Sequence, residues 1–153
     1  MRKIVILLAL PILLLLSTAS AAAPTMIIGT FTFTSNQLIT TRTAGPNILV
    51  TSMITLALTG GLSGTIDQTS TALTTAQGLT VDVGQTRLAF TGTVAGASGT
   101  LLFASTANTA SGTFHGHFTI LSGTGGLANL RGEGTFTVTS PHGGTYTLQV
   151  NSI

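Results

Sequence analysis

The feature that most constrains this chain is a strict two-residue alternation of apolar and threonine side chains, punctuated by glycine. Gly29-Thr30-Phe31-Thr32-Phe33-Thr34 has this pattern, and so do Thr135-Phe136-Thr137-Val138-Thr139 and Thr145-Tyr146-Thr147-Leu148-Gln149-Val150. Between residues 114 and 120, Phe114, Gly116, Phe118 and Ile120 alternate with His115, His117 and Thr119. Successive side chains of a strand leave opposite faces, so this period places apolar groups on one face and hydroxyls on the other. A helix needs a period near 3.6 and residues such as Lys and Glu, which nearly vanish after residue 24. Breaks at Ala44-Gly45-Pro46-Asn47, Thr59-Gly60-Gly61, Gln77-Gly78, Ala95-Gly96-Ala97, 108–112, 122–131 and Pro141-His142-Gly143-Gly144 bound the strands. The spacing predicts strands over 27–35, 37–43, 47–59, 63–75, 79–94, 99–107, 112–121, 132–139 and 144–151. Eight or nine short strands with hairpin-length links make an antiparallel meander, which avoids open edges by closing into a barrel or, alternatively, folding into a β-sandwich. Gly-Thr-Phe recurs at Gly29, Gly112 and Gly134 with irregular spacing, which indicates repeated strand chemistry rather than a solenoid.

The first residues obey different rules. Met1-Arg2-Lys3 is a charged start, Ile4 to Leu16 is apolar throughout except for Pro11, and Ser17 to Ala23 are small. This is the layout of a secretion signal, with Ala19-Ser20-Ala21 as the cleavage context. The expected arrangement is therefore a signal over 1–21 and a single β-barrel domain over 22–153, secreted or otherwise extracytoplasmic. The apolar run is shorter than the roughly 20 residues that span a bilayer, so no stable membrane insertion is expected after cleavage. A chain with no Trp and one Tyr also lacks the aromatic girdles of an outer-membrane barrel.

Charge and cysteine content narrow the function classes. The formal charge of +2 includes Arg2 and Lys3, and without them Arg42, Arg87 and Arg131 stand against Asp67, Asp82 and Glu133. A balanced domain with scattered arginines cannot supply the run of phosphate contacts that nucleic-acid binding needs. The absence of Cys excludes disulfides, thiolate metal ligands and a thiolate nucleophile. Stability must then come from an apolar core, which a chain of this length can build.

Each polar constellation has a structural reading beside the chemical one. Gly123-Thr124-Gly125-Gly126-Leu127-Ala128 matches G-x-G-x-x-A, but Gly132 and Gly134 leave no room for the helix that would hold a pyrophosphate, so it reads as a wide turn. His115 and His117 leave one strand face, and the returning strand brings the turn of His142 back toward His115. Three imidazoles are a zinc-binding set, yet they sit on the threonine face and on a loose turn, so no metal and no cofactor is expected. Asp67 and Asp82 fall out of register for a glycosidase dyad. Ser63 and Ser98 lie in turn contexts rather than in a G-x-S-x-G elbow. Arg131 and Glu133, two apart, are expected to pair on one face.

From Gly112-Thr113-Phe114 through Ser122-Gly123-Thr124-Gly125-Gly126-Leu127-Ala128-Asn129-Leu130-Arg131-Gly132-Glu133-Gly134, the chain resembles a bacterial family of proteins of unknown function. Weaker similarity extends back through residues 92–99 and 58–65 to Gly29-Thr30-Phe31. The resemblance implies an eight-stranded barrel like that of allene oxide cyclases and, more distantly, dirigent proteins, whose barrels bind apolar or phenolic molecules. The chain departs from that family at Ala104-Ser105, where members carry Gln-His, and at His115, where members carry Asp.

The functional expectation is an exported barrel that binds a small apolar molecule or serves as a surface scaffold. Its interior would be lined by Phe31, Phe33, Phe90, Phe114, Phe118, Phe136 and Tyr146, together with Ile54, Leu56 and Leu88. An eight-stranded barrel is just wide enough to be filled by side chains or to hold one small ligand, and both alternatives are open from sequence. The competing expectation is an isomerase or cyclase acting by confinement, with Tyr146, Asn129 or Arg131 as its polar group.

Overall fold

The computed structural model describes residues 23–110 and 112–152, so the expected signal segment lies outside the described residues. Nine strands follow in order: β1 (Thr25–Ala44), β2 (Asn47–Gly60), β3 (Leu62–Thr74), β4 (Thr80–Asp82), β5 (Thr86–Val94), β6 (Ala97–Ala110), β7 (Thr113–Gly123), β8 (Leu130–Ser140) and β9 (Gly143–Ser152). A single turn of 3-10 helix, Gly125–Leu127, is the one helical element among the described residues. All pairings are antiparallel, and the last strand returns to the first, with Gly29 opposite Tyr146 and Phe31 opposite Gly144. That pairing closes β1, β2, β3, β5, β6, β7, β8 and β9 into an eight-stranded barrel, so the two-sheet sandwich does not occur.

The ninth strand fills a wedge. β3 pairs with β5 over Leu62–Gln68 but with β4 over Ala72–Thr74, and β4 reaches β6 through Val81 and Asn108. The strand expected over 79–94 is therefore two, separated at Val83-Gly84-Gln85, where Gly84 takes a φ of 81°. The opposite correction applies at the start, where the strands expected over 27–35 and 37–43 are one. Register irregularities at Phe33/Ser35 and Leu38/Thr40 let β1 bend while staying paired to β2, and such bulges shift the alternation without ending the strand.

Threonine dominates because the outer wall uses it in opposed pairs. Thr30 faces Thr59 and Thr135 faces Thr147 directly across a ladder, with hydroxyl separations of 2.9 Å in both cases. β-branched side chains suit the pleat, and each such pair adds a few tenths of a kcal/mol.

The inner wall alternates glycine with aromatic rings. Gly29-Thr30-Phe31 of β1 opposes Gly144-Thr145-Tyr146 of β9 so that each ring lies over the glycine of the other strand. β7 and β8 repeat the device, with Gly116 under Phe136 and Phe118 over Gly134. A barrel this narrow cannot seat large side chains at every inward position, and ring-on-glycine pairing lets the rings lie flat along the wall. One end of the barrel is packed solid by Leu62, Phe90, Leu101, Leu127 and Leu148, each at most 2% exposed. Leu127 comes from the 3-10 turn and stoppers that end.

Candidate functional site

Beyond this packed end the interior is hollow. A cavity of about 350 Å³ runs from the level of Leu62 and Tyr146 toward the end where β4 replaces β5. Phe31, Phe33, Phe114, Phe118, Phe136 and Tyr146 line it, as do Ile54, Leu56 and Leu88. Phe90 lies below it in the packed end, fully buried, and does not reach the cavity. Phe103, which the sequence argument passed over, is in the lining, although it shares an inward face with Leu101. All seven phenylalanines of the chain form one connected series, from Phe33 to Phe31 (5.8 Å between ring centres), Phe136 (6.4 Å), Phe118 (6.5 Å), Phe103 (5.4 Å) and Phe90 (6.4 Å), with Phe114 beside Phe136. Most contacts are edge-to-face, the arrangement favoured by the ring quadrupole, and they hold the wall rigid.

The opposite wall is polar. Gln68, Ser70, Thr80, Asp82 and Ser105 border the cavity, with Asn36 near its rim. Gln68 and Ser70 continue the inward alternation of Ile66 on β3, Ser105 continues that of Phe103 on β6, and Thr80 and Asp82 come from β4. Asp82 is half-buried and accepts a hydrogen bond from the Ser70 hydroxyl at 3.2 Å. Burial pushes its carboxyl pKa above the ordinary value, and the Ser70 bond partly opposes this. Asp67 points the other way, is exposed, and accepts from Thr55 at 2.8 Å, so the two carboxylates share no site.

Tyr146 lines the cavity with its ring and spends its hydroxyl elsewhere. The oxygen accepts the Leu62 N–H at 2.8 Å and lies 3.1 Å from the Thr59 carbonyl, clasping the turn between β2 and β3. Burial raises the phenol pKa, with the Leu62 bond opposing. Tyr146→Phe is expected to lower stability by about 1–3 kcal/mol, because the Leu62 N–H is left buried without a partner. Urea unfolding checks this, and a change below about 0.5 kcal/mol would show that the clasp contributes nothing.

The remaining candidates sit outside the lumen. Asn129 and Arg131 follow the 3-10 turn at the packed end, and the Arg131 guanidinium donates to the Ala128 and Leu130 carbonyls. Glu133 does not pair with Arg131. Its partner is His117, across the β7–β8 ladder at 3.6 Å, an exposed contact of little energetic weight. The expected Arg131–Glu133 pair is replaced because the β7–β8 register brings Glu133 within reach of His117 while backbone carbonyls take up the guanidinium. His115 Nδ1 lies 3.2 Å from the Thr113 carbonyl, and the His142 carbonyl accepts the Phe33 N–H at 2.8 Å. Among the described residues no three ligating side chains converge.

The fold and its lumen define a class: a closed antiparallel barrel, packed at one end and carrying an aromatic-walled cavity toward the other. Within that class, the chain belongs to a family described as proteins of unknown function (DUF3224), whose family model matches residues 27–150, nearly the whole barrel. The resemblance carried by the carboxyl-terminal glycine-rich motif holds. A solved structure of a DUF3224 protein of unknown function from Shewanella oneidensis MR-1 is similar, with a TM-score of 0.68 at 17% identity, covering 86% of this chain and 98% of that one. Comparison with curated proteins returns no match.

Proposed function

We propose that this protein is an exported carrier that takes one small, mainly apolar molecule into the barrel lumen. The observation that carries the reading is the cavity of about 350 Å³ lined largely by aromatic and aliphatic side chains. A core meant only to be filled would close such a space, because each unfilled methyl-sized void costs stability. Pockets of this size with a few convergent polar groups are the usual form of small-molecule sites. A ligand presenting about 200 Å² of apolar surface would gain about 5 kcal/mol from burial. Confinement catalysis asked for Tyr146, Asn129 or Arg131 at the substrate. The Tyr146 hydroxyl is bound to backbone and the other two lie outside the lumen lining, which favours binding over turnover.

The test is a thermal-shift screen of the purified barrel against fatty acids, terpenoids and phenolics. At a concentration 100 times its Kd, a ligand contributes about 2.7 kcal/mol, or a rise of roughly 10 °C for a domain of this size. Ala72→Trp, which places an indole in the cavity, should abolish the shift. If no apolar compound raises Tm, the barrel is a scaffold. Intact mass of the secreted product addresses export, with loss of residues 1–21 expected.

A further inference from the structure

Asp82 is placed where a carboxylate is hard to justify structurally. It sits on β4, a three-residue strand wedged between β3 and β6, and it borders the lumen directly across the ladder from Ala72, which also lines it. One of its oxygens accepts from Ser70, and that is its one side-chain hydrogen bond among the described residues. No basic side chain lines the cavity. Arg42 and Arg87 are exposed, Arg131 is held at the packed end, and the one ion pair among the described residues is His117–Glu133. The lumen thus holds a carboxylate with open acceptor capacity and no counter-charge, on the wall opposite the phenylalanine rings.

A lone carboxylate facing an apolar wall favours one ligand chemistry. An ammonium donates to the carboxylate in charge-assisted hydrogen bonds, which are about twice as strong as neutral ones. A carboxylate ligand, by contrast, would bring like charge to Asp82 in a site of reduced dielectric. Building on the lumen-binding reading, we infer that the barrel selects a lipophilic amine, with its apolar body against the phenylalanine wall and its protonated nitrogen on Asp82.

The pH dependence follows from the groups that face this carboxylate. β6 carries no titratable residue, β3 carries only the outward-facing Asp67, and Tyr146 is the other ionisable residue in the lining. Amine binding requires ionised Asp82, whose pKa burial raises, so affinity should fall as pH drops through that raised value and hold above it until the amine itself loses its proton.

Titration calorimetry with octylamine, octan-1-ol and octanoate at pH 7.5 tests the inference on the unaltered protein. Octylamine is expected to bind at least tenfold more tightly than octan-1-ol, and octanoate most weakly. Asp82→Asn should bring octylamine and octan-1-ol within about twofold of each other, while Asp67→Asn, on the outer wall, keeps the preference. If octan-1-ol binds and octylamine binds no more tightly, the amine inference falls and the lumen-binding reading stands. If none of the three binds and no neutral compound shifts Tm, both fall.

Discussion

Gly134→Ala is expected to destabilise the barrel by about 3 kcal/mol or more. A Cβ at this position would lie 2.6 Å from the Phe118 ring edge and 3.0 Å from the Leu148 Cα, and would press on the Thr147 carbonyl. The backbone contacts cannot give way. The Phe118 ring is held by Phe103 at 5.4 Å and Phe136 at 6.5 Å, and the Thr147 and Leu148 backbone is fixed in the β8–β9 ladder. Urea unfolding should show a loss of at least 3 kcal/mol, whereas Thr135→Ala, one residue away on the outer wall, should cost at most about 1 kcal/mol. Combining Gly134→Ala with Phe118→Ala should recover only part of the coupling, because the carbonyl contact persists. A Gly134→Ala cost below 1 kcal/mol would mean that ring-on-glycine pairing does not hold the wall.

Phe31→Ala is the second large effect, with an expected loss of about 3 kcal/mol. The ring is 6% exposed, lies on Gly144, and meets Phe33 at 5.8 Å and Phe136 at 6.4 Å. Removing a buried ring costs about 3–5 kcal/mol. The lower end applies because one side of Phe31 already borders the cavity and loses no packing there. Since the variant enlarges an apolar lumen, benzene or toluene should return part of the lost stability, which denaturation with and without the hydrocarbon measures. A loss under 1 kcal/mol, or no response to the hydrocarbon, would contradict this account of the wall.

Much of the fold was legible because the alternation is strong wherever the outer face is threonine. It places Phe31, Phe114, Phe118 and Phe136 inward and His115 and His117 outward without any knowledge of the register. The misses have separate physical causes. Apolar identity served as the marker of an inward position, so Gln68 and Ser70, which continue the face of Ile66, were not recognised as lumen residues. Asp82 was harder still, since a three-residue strand has no periodicity and Gly84 cuts it from β5. The bulges of β1 read as a break because a shifted alternation looks the same in sequence as a terminated one. Partners across a ladder, such as Phe118 with Gly134 or His117 with Glu133, depend on register, and sequence alternation gives parity only.

The pairing of β1 with β9 also governs how the molecule comes into being. Every other ladder joins strands that are consecutive in the chain or, for β3–β5 and β4–β6, separated by a single strand, but this seam joins the two ends of the domain. It carries the largest loop-closure entropy in the structure, and it cannot form before the last strand of the barrel has been made. Until residues 143–152 are in place, the phenylalanine faces of the earlier strands have no sealed interior, and Leu62 lacks the tyrosine that clasps its turn. A ligand that needs the enclosed lumen can therefore report on completion of the seam, and its binding rate after dilution from denaturant would time that single event.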